Sequence, residues 1–372
     1  MTFPNTSKLF SLLESLVSIP SETSNIQAVQ KILIHIQEFF KNSQWNLKTF
    51  HVPGTNNPVL LISSHKGSEF KLLFLAHADV VPASEYRMLG KMNGNVQGRG
   101  VMDDKGPLSA VLYLLTTLNP EHFDIGVVIT TDEEKSGRGT HYAFVDPTGP
   151  RLKCDVAIVP DGGRDFYLIS HEKGILETQL TVTGKACHAS RPWEGKNPVP
   201  LLLDDINAIL NSKFQNSKIF DSSSEIWHTT CSPTILSAGA VSNQIPKEAS
   251  ATLDIRYTED WKLSDLKKTI LEAVNHSKVE FSFEAKMMAT NEKSKWLQTA
   301  KTLIEKHIGR ECPIVRAHGA SDGRFLTEAN IPVIMFLPTG NGAHSDDEWL
   351  NFPSLEKFTV ILNELARLWA NY

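Results

Sequence analysis

The residues best able to do chemistry follow short apolar runs. Leu72 to Ala76 (LLFLA) precedes His77-Ala78-Asp79, and Ile125 to Thr131 (IGVVITT) precedes Asp132-Glu133-Glu134. Val156 to Pro160 (VAIVP) leads into Asp161-Gly162-Gly163, and Val333 to Leu337 (VIMFL) leads into a loop reaching His344. A further supply is Gly98 to Gly106 (GRGVMDDKG), which carries Asp103 towards a helix. Imidazole nitrogen and carboxylate oxygen suit zinc, and more loosely cobalt or manganese. Two histidines with three carboxylates can hold a pair of such ions when one carboxylate bridges. Taken singly, a histidine after a strand or an acidic pair in a loop is ordinarily a cap or turn residue. Their recurrence at the same kind of position is what points to a site. Glu133 and Glu134, as neighbours, point different ways, so one can bind an ion while the other faces a substrate.

The elements that would position them are legible from periodicity. Wholly apolar runs of this length read as strands buried on both faces. Between them lie helical patterns such as Pro107 to Leu118, with proline at the first helical position. The alternation predicts an α/β fold: a mixed, mostly parallel sheet with helices on both faces. In such sheets ligands bind beyond the carboxyl ends of the strands. From about Gly174 the pattern changes to strand (ILETQLTVT), helix (PVPLLLDDINAIL), two strands (PTILSAGAVS, EASATLDIRYT), helix (LSDLKKTILEAVNH) and strand (KVEFSFEAK). That βαββαβ order predicts an inserted α+β ferredoxin-like domain, with Ala251, Leu253, Ile255 and Tyr257 on one face. The expected boundaries are 1–172 and 292–372 for the two parts of the main domain and 173–291 for the insert. Asp221 to Glu225 (DSSSE) is expected to be a polar loop.

Composition narrows the class. The chain has 372 residues and a net charge of −5, without a basic stripe, so nucleic acid is not an expected partner. Cys154, Cys187, Cys231 and Cys312 are scattered and form no paired motif, which favours a reducing compartment, the cytoplasm. Leu9, Phe10, Leu13, Leu16 and Val17 repeat at helical spacing, so the N-terminal stretch reads as an amphipathic helix and not a signal peptide. No run approaches the ~18 apolar residues of a membrane span.

At these residues the chain resembles the di-zinc family of acetylornithine deacetylase, succinyl-diaminopimelate desuccinylase, aminoacylase and carboxypeptidase G. The matching pieces are HAD at 77–79, GRGVMDDKG at 98–106, DEE at 132–134, VPDGG around Asp161 and AHSDDEW at 343–349. GKACHASRPWEGKNP at 184–198, NQIPKEASATLDIR at 243–256 and GASDGR at 319–324 support them. The resemblance implies a zinc-exopeptidase-like fold with a lid and dimerisation insert, hence a homodimer. It implies that His77 and Asp161 hold one Zn2+, that Glu134 and His344 hold the other, and that Asp103 bridges them, with a cis peptide bond after it. Co2+ or Mn2+ would also suit these ligands. It further implies that Glu133 is the general base and that Asp79 orients His77. His188 would reach a neighbouring subunit's site to stabilise an oxyanion, Arg256 would grip a substrate carboxylate, and Asn243 would be a lid residue near substrate. The chain departs from the family between 83 and 95, where a tryptophan and a Pro-Phe pair are missing, and at His318, where glycine is common.

These roles describe metal-assisted hydrolysis of the amide bond in a small N-acyl amino acid. A dipeptidase or carboxypeptidase would use the same chemistry with a different pocket. A metal-binding protein without catalysis is the reading from another class. Phosphoester hydrolysis ranks low, because no Gly-rich phosphate cradle accompanies the ligands.

Overall fold

The computed structural model describes residues 3–86, 89–214, 217–218 and 226–371. The chain forms two compact units. One comprises Met1–His171, Met288–Ala317 and Ser321–Tyr372; the other comprises Glu172–Met287 with His318–Ala320.

The first unit is built on a nine-stranded sheet. Its strands are β1 (Asn46–His51), β2 (Pro58–Ser63), β3 (Glu69–His77), β4 (Ile125–Thr130), β5 (Lys153–Val159), β6 (Leu168–Glu172), β7 (Met288–Ala289), β8 (Ile314–Ala317) and β9 (Val333–Met335). The order is β1-β2-β4-β3-β5-β9-β6-β7, with β8 also paired to β6. At the centre β4, β3, β5 and β9 run parallel. The β1–β2, β2–β4 and β9–β6 pairs are antiparallel. Alternate side chains of the central strands enter opposite cores. Leu60, Ile62, Leu72 and Phe74 join one hydrophobic cluster, while Val59, Leu61, Leu73 and Leu75 join the other. Burial on both faces is why these strands read as unbroken apolar runs.

Helices α1 (Thr6–Val17), α2 (Ile26–Phe40), α3 (Lys105–Leu115), α4 (Arg138–Phe144), α5 (Lys295–Ile308), α6 (Gly323–Glu328) and α7 (Phe352–Trp369) complete the unit. Asn5, Asn25, Ser294 and Asn351 cap α1, α2, α5 and α7 by accepting from backbone amides of the first turn. Every residue of α3 is buried, as expected for a helix covered on all sides. It begins at Lys105, two residues before the expected Pro107. Proline is tolerated at the third position because that amide has no intrahelical partner. A Cβ on Gly106 would lie 2.0 Å from the Val101 carbonyl oxygen, so only glycine fits there. A small antiparallel sheet joins Gly340–Asn341, Trp349–Asn351, Asn95–Gln97 and Leu89–Met92 in that order. Two of its strands precede Asp103 and the other two bracket His344 in sequence.

The second unit has an antiparallel sheet ordered Thr230–Ala238, Glu248–Tyr257, Gly174–Thr183, Lys278–Ala285. Helices Pro198–Leu210 and Leu263–Ala273 complete the ferredoxin-like order. Ala251, Leu253, Ile255 and Tyr257 all face its core. The strand expected at 233–242 instead occupies Thr230–Ala238, and the DSSSE segment at 221–225 lies outside the described residues. Asp205, 1% exposed, ties helix Pro198–Leu210 to the turn before the last strand. It accepts from the amides of Asn275 at 2.8 Å, His276 at 3.1 Å and Ser277 at 2.7 Å, and from Ser277 Oγ at 2.6 Å. Burial alone would raise its pKa, but these donors hold the carboxyl below the usual range. Among the described residues no helix is long and apolar enough to cross a membrane.

Candidate metal centre

The parallel strands end side by side, and their ends carry the site. His77 closes β3, Asp132 to Glu134 follow β4, and Asp161 follows β5. His77 is 1% exposed. Its Nε2 lies 2.9 Å from Asp103 Oδ1, and its Nδ1 lies 3.0 Å from the Asp79 carbonyl and 3.4 Å from Asp79 Oδ1. His344, at a left-handed φ of 65°, places Nε2 3.1 Å from Asp103 Oδ2 and 2.8 Å from Glu134 Oε2. Asp103 thus touches both imidazoles, one through each oxygen. Ligand atoms of His77, Asp103 and Glu134 lie within 4.8 Å of one another, and so do those of His77, Glu133 and Asp161. The Asp103–Asp104 peptide bond is cis.

Asp79 is fully buried and organises the β4 turn. Its Oδ1 accepts from the Glu133 amide and its Oδ2 from the Glu134 amide, each at 3.3 Å, while Thr23 Oγ1 donates to Oδ2 at 2.8 Å. One carboxylate therefore sits behind His77 and also fixes the backbone of both glutamates.

The electrostatics favour positive charge. Burial pushes the His77 pKa down, yet Asp103 and Asp79 hold it well above the ordinary imidazole value. His344 is raised to about 10, chiefly by Asp103 and then Glu134. Burial acts to raise Asp103, but His344 and His77 hold it well below the usual carboxylate range. Glu133 is pushed up by burial, then by the charges of Asp161 and Asp322. Glu134 Oε1 is buried with no hydrogen-bond partner. Crowded carboxylates, two imidazoles and an unsatisfied buried oxygen form a donor set that fits divalent cations.

Several contributors were not anticipated. Asp322 accepts from Thr140 Oγ1 and lies 3.5 Å from Arg324 Nη2. Asp132 is raised to about 6 by burial and by Asp322; it holds the turn through the Gly139 amide and Ser136 Oγ. Lys105 is buried and donates to the Ile19 carbonyl at 2.7 Å. Burial lowers it to about 7, against the pull of Asp79 and Glu348. Glu348 accepts from Arg99 Nη1 and from three backbone amides of the Asp103 loop. Nothing in the sequence pairs these residues; the signal was that Arg99 and Lys105 fall inside GRGVMDDKG, Asp132 inside DEE, Asp322 inside GASDGR and Glu348 inside AHSDDEW, with no role read for any of them.

The remaining candidates lie in the second unit. His188 and Asn243 are exposed and adjacent: the ribbon Cys187–His188 pairs with Gln244–Ile245, and the Ala189 amide donates to the Asn243 carbonyl at 2.8 Å. The Ser190 amide donates to His188 Nδ1 at 3.2 Å. That contact makes Nδ1 an acceptor, so neutral His188 carries its proton on Nε2. Arg256 makes a two-pronged contact with Asp254, Nε to Oδ1 at 2.8 Å and Nη2 to Oδ2 at 3.1 Å.

The chain is similar to known proteins in both sequence and fold. A succinyl-diaminopimelate desuccinylase from Legionella pneumophila is 26% identical, over 87% of this chain and 88% of that one. A tripeptidase from Staphylococcus aureus superposes with a TM-score of 0.80 at 20% identity, covering 98% of both chains. The aminopeptidase PepT from Bacillus cereus gives 0.77 at 18% identity, covering 97% of this chain and 99% of its own. The model of peptidase family M20/M25/M40 matches residues 73–368. A match of that extent, on a chain whose strand ends gather imidazoles and carboxylates, shows that this protein belongs to the M20/M25/M40 family and is a metallohydrolase.

Proposed function

We propose that the protein hydrolyses the amide bond of a small N-acyl amino acid, using two divalent cations, Zn2+ being the first choice. The observation that carries this reading is the meeting of His77, Asp103, Glu134 and His344 in one set of contacts, with Asp161 and Glu133 beside His77. His77 and Asp161 would hold one cation and Glu134 and His344 the other, with Asp103 shared. When bound, such a pair supplies Lewis-acid polarisation and makes water more acidic near neutral pH. Glu133 takes a proton from the attacking water and hands it to the leaving amine. Asp79 keeps His77 and the two glutamates in register. His188, with its Nε2 proton, donates to the developing oxyanion of a partner subunit's substrate. Arg256 binds the substrate carboxylate, and Asn243 lies beside the His188 ribbon, near the substrate.

A homodimer is part of this reading. Strand Thr230–Ala238 lies at the edge of its sheet and exposes Ile235 and Leu236, at 61% and 59%. An uncovered apolar edge of this kind suits a second copy. The four cysteines are free, which suits a reducing compartment such as the cytoplasm.

Replacing Glu133 by Gln is expected to lower turnover by at least ~10²- to 10⁴-fold while two metals per chain remain by elemental analysis. Near-normal turnover in that variant would sink the assignment. The similarity to a desuccinylase at 26% identity favours an N-acyl substrate. A di- or tripeptide is the second reading, suggested by the shared fold of the Staphylococcus aureus tripeptidase. A rate panel of N-succinyl amino acids, N-acetyl amino acids and dipeptides on the Zn2+- and Co2+-loaded protein separates the two.

A further inference from the structure

We propose that Glu348 is the positioning residue that sets Asp103 against both imidazoles, by gathering the loop before α3 onto one buried carboxylate. The inference rests on the reading that Asp103 is shared between two cations.

Glu348 is 1% exposed, and both of its oxygens are used twice. Oε1 accepts from the Met102 amide at 2.8 Å and from the Asp103 amide at 3.1 Å. Oε2 accepts from the Gly100 amide and from Arg99 Nη1, each at 2.9 Å. The Gly98 amide donates to the Glu348 carbonyl at 3.1 Å. The segment from Gly98 to Asp104 contains no helix or strand, so its amides lack ladder partners; the Val101 amide turns back to the Gly98 carbonyl at 3.1 Å, and the Glu348 carboxylate serves those of Gly100, Met102 and Asp103. One of those amides belongs to Asp103 itself.

Glu348 also ties in the second ligand loop. It follows His344 by four positions and directly precedes strand Trp349–Asn351, which pairs with Asn95–Gln97 ahead of the Asp103 loop. A single carboxylate therefore anchors the loop of the shared aspartate at the base of the loop of His344. The task requires two acceptor oxygens. A glutamine has one, and would turn its NH2 donors towards amides that also donate. Aspartate keeps both oxygens but is one methylene short of the four donors.

The test uses full-length wild-type, E348Q and E348D proteins, stripped by chelator and titrated with Zn2+ against a chromophoric competitor well below the melting temperature. Melting is recorded in parallel. Wild type is expected to take two ions. E348Q is expected to bind ~10- to 100-fold more weakly, the range for a residue that orients a ligand, with E348D between the two. A Zn2+ affinity for E348Q within about twofold of wild type, with only the melting temperature lowered, would overturn the proposal. If E348Q does not fold, E348D decides: wild-type affinity in that variant overturns the proposal equally. A wild-type chain that takes up no ion pair removes the two-cation reading, and this inference with it. The wild-type titration separates that failure from the failure of Glu348 alone.

Discussion

In the sheet-bearing unit Asp79 and Glu348 are at most 1% exposed, and each gathers groups from distant parts of the chain: Asp79 joins Thr23 to Glu133 and Glu134, and Glu348 joins the Asp103 loop across 245 positions. In the inserted unit His188 lies exposed on a ribbon with two residues per strand and exposed Asn243 directly precedes the partner strand, and His188 is oriented by Ser190, two positions away. The first arrangement fixes atoms by burial and long-range bonds, which suits ligands that must hold one geometry. The second holds side chains by local contacts at the surface, which suits groups that act once substrate has arrived. Stability, metal affinity and turnover should therefore separate by unit.

Among variants that probe this contrast, the largest effect is expected at His188. H188A should cut kcat by ~10²- to 10³-fold, the usual cost of one oxyanion donor, with metal content and melting unchanged. Mixing it with the inactive E133Q protein under subunit exchange should restore activity if His188 serves a partner's site. A failure of complementation in verified mixed dimers would place His188 in its own chain's chemistry or outside it. Next is Asp79. D79N replaces an acceptor with a donor facing two amides and should weaken metal binding ~10- to 100-fold; unaltered affinity by competition titration would remove Asp79 from the support of the centre. The smallest effect is at Asp205. D205N should lower the stability of the inserted unit by ~1–2 kcal/mol and leave Zn2+ affinity untouched. Because the folded-state pKa of Asp205 is depressed, its contribution is present above the unfolded carboxyl value of about 3.9 and is lost as pH falls through the folded value. Wild type and D205N should therefore converge in melting temperature as the solution is acidified below about pH 4. Parallel curves would mean that the charge of Asp205 does not contribute.

Much of the centre was legible because an apolar strand announces its own end: LLFLA, VVITT and VAIVP each stop where a polar residue must face the rim. The cis bond after Asp103 came with the family resemblance, and the order of the ferredoxin-like insert with the strand and helix patterning from Gly174 onward. Glu348 was not legible, since three of its four donors are backbone amides, which nearly every residue has, and its loop is remote in sequence. Strands β1 and β2 also escaped. β1 is a half-buried edge strand without an apolar run, and β2 opens on a proline and is followed by no His, Asp or Glu cluster that would draw notice to its end. The start of α3 was misplaced because Pro107 invites placement at the first helical position, whereas Lys105 and Gly106 already have helical geometry.

If Arg256 binds the substrate carboxylate as proposed, its fork with Asp254 changes what recognition would mean. A guanidinium already engaged by a carboxylate does not fill a vacancy when a ligand arrives; it trades one anion for another. Selectivity would then rest on the difference between two similar pairings, so the incoming acid must bring further contacts to prevail. Such an exchange would favour quick release of the bound product over tight retention, and would keep the arginine in an ordered pose between visits.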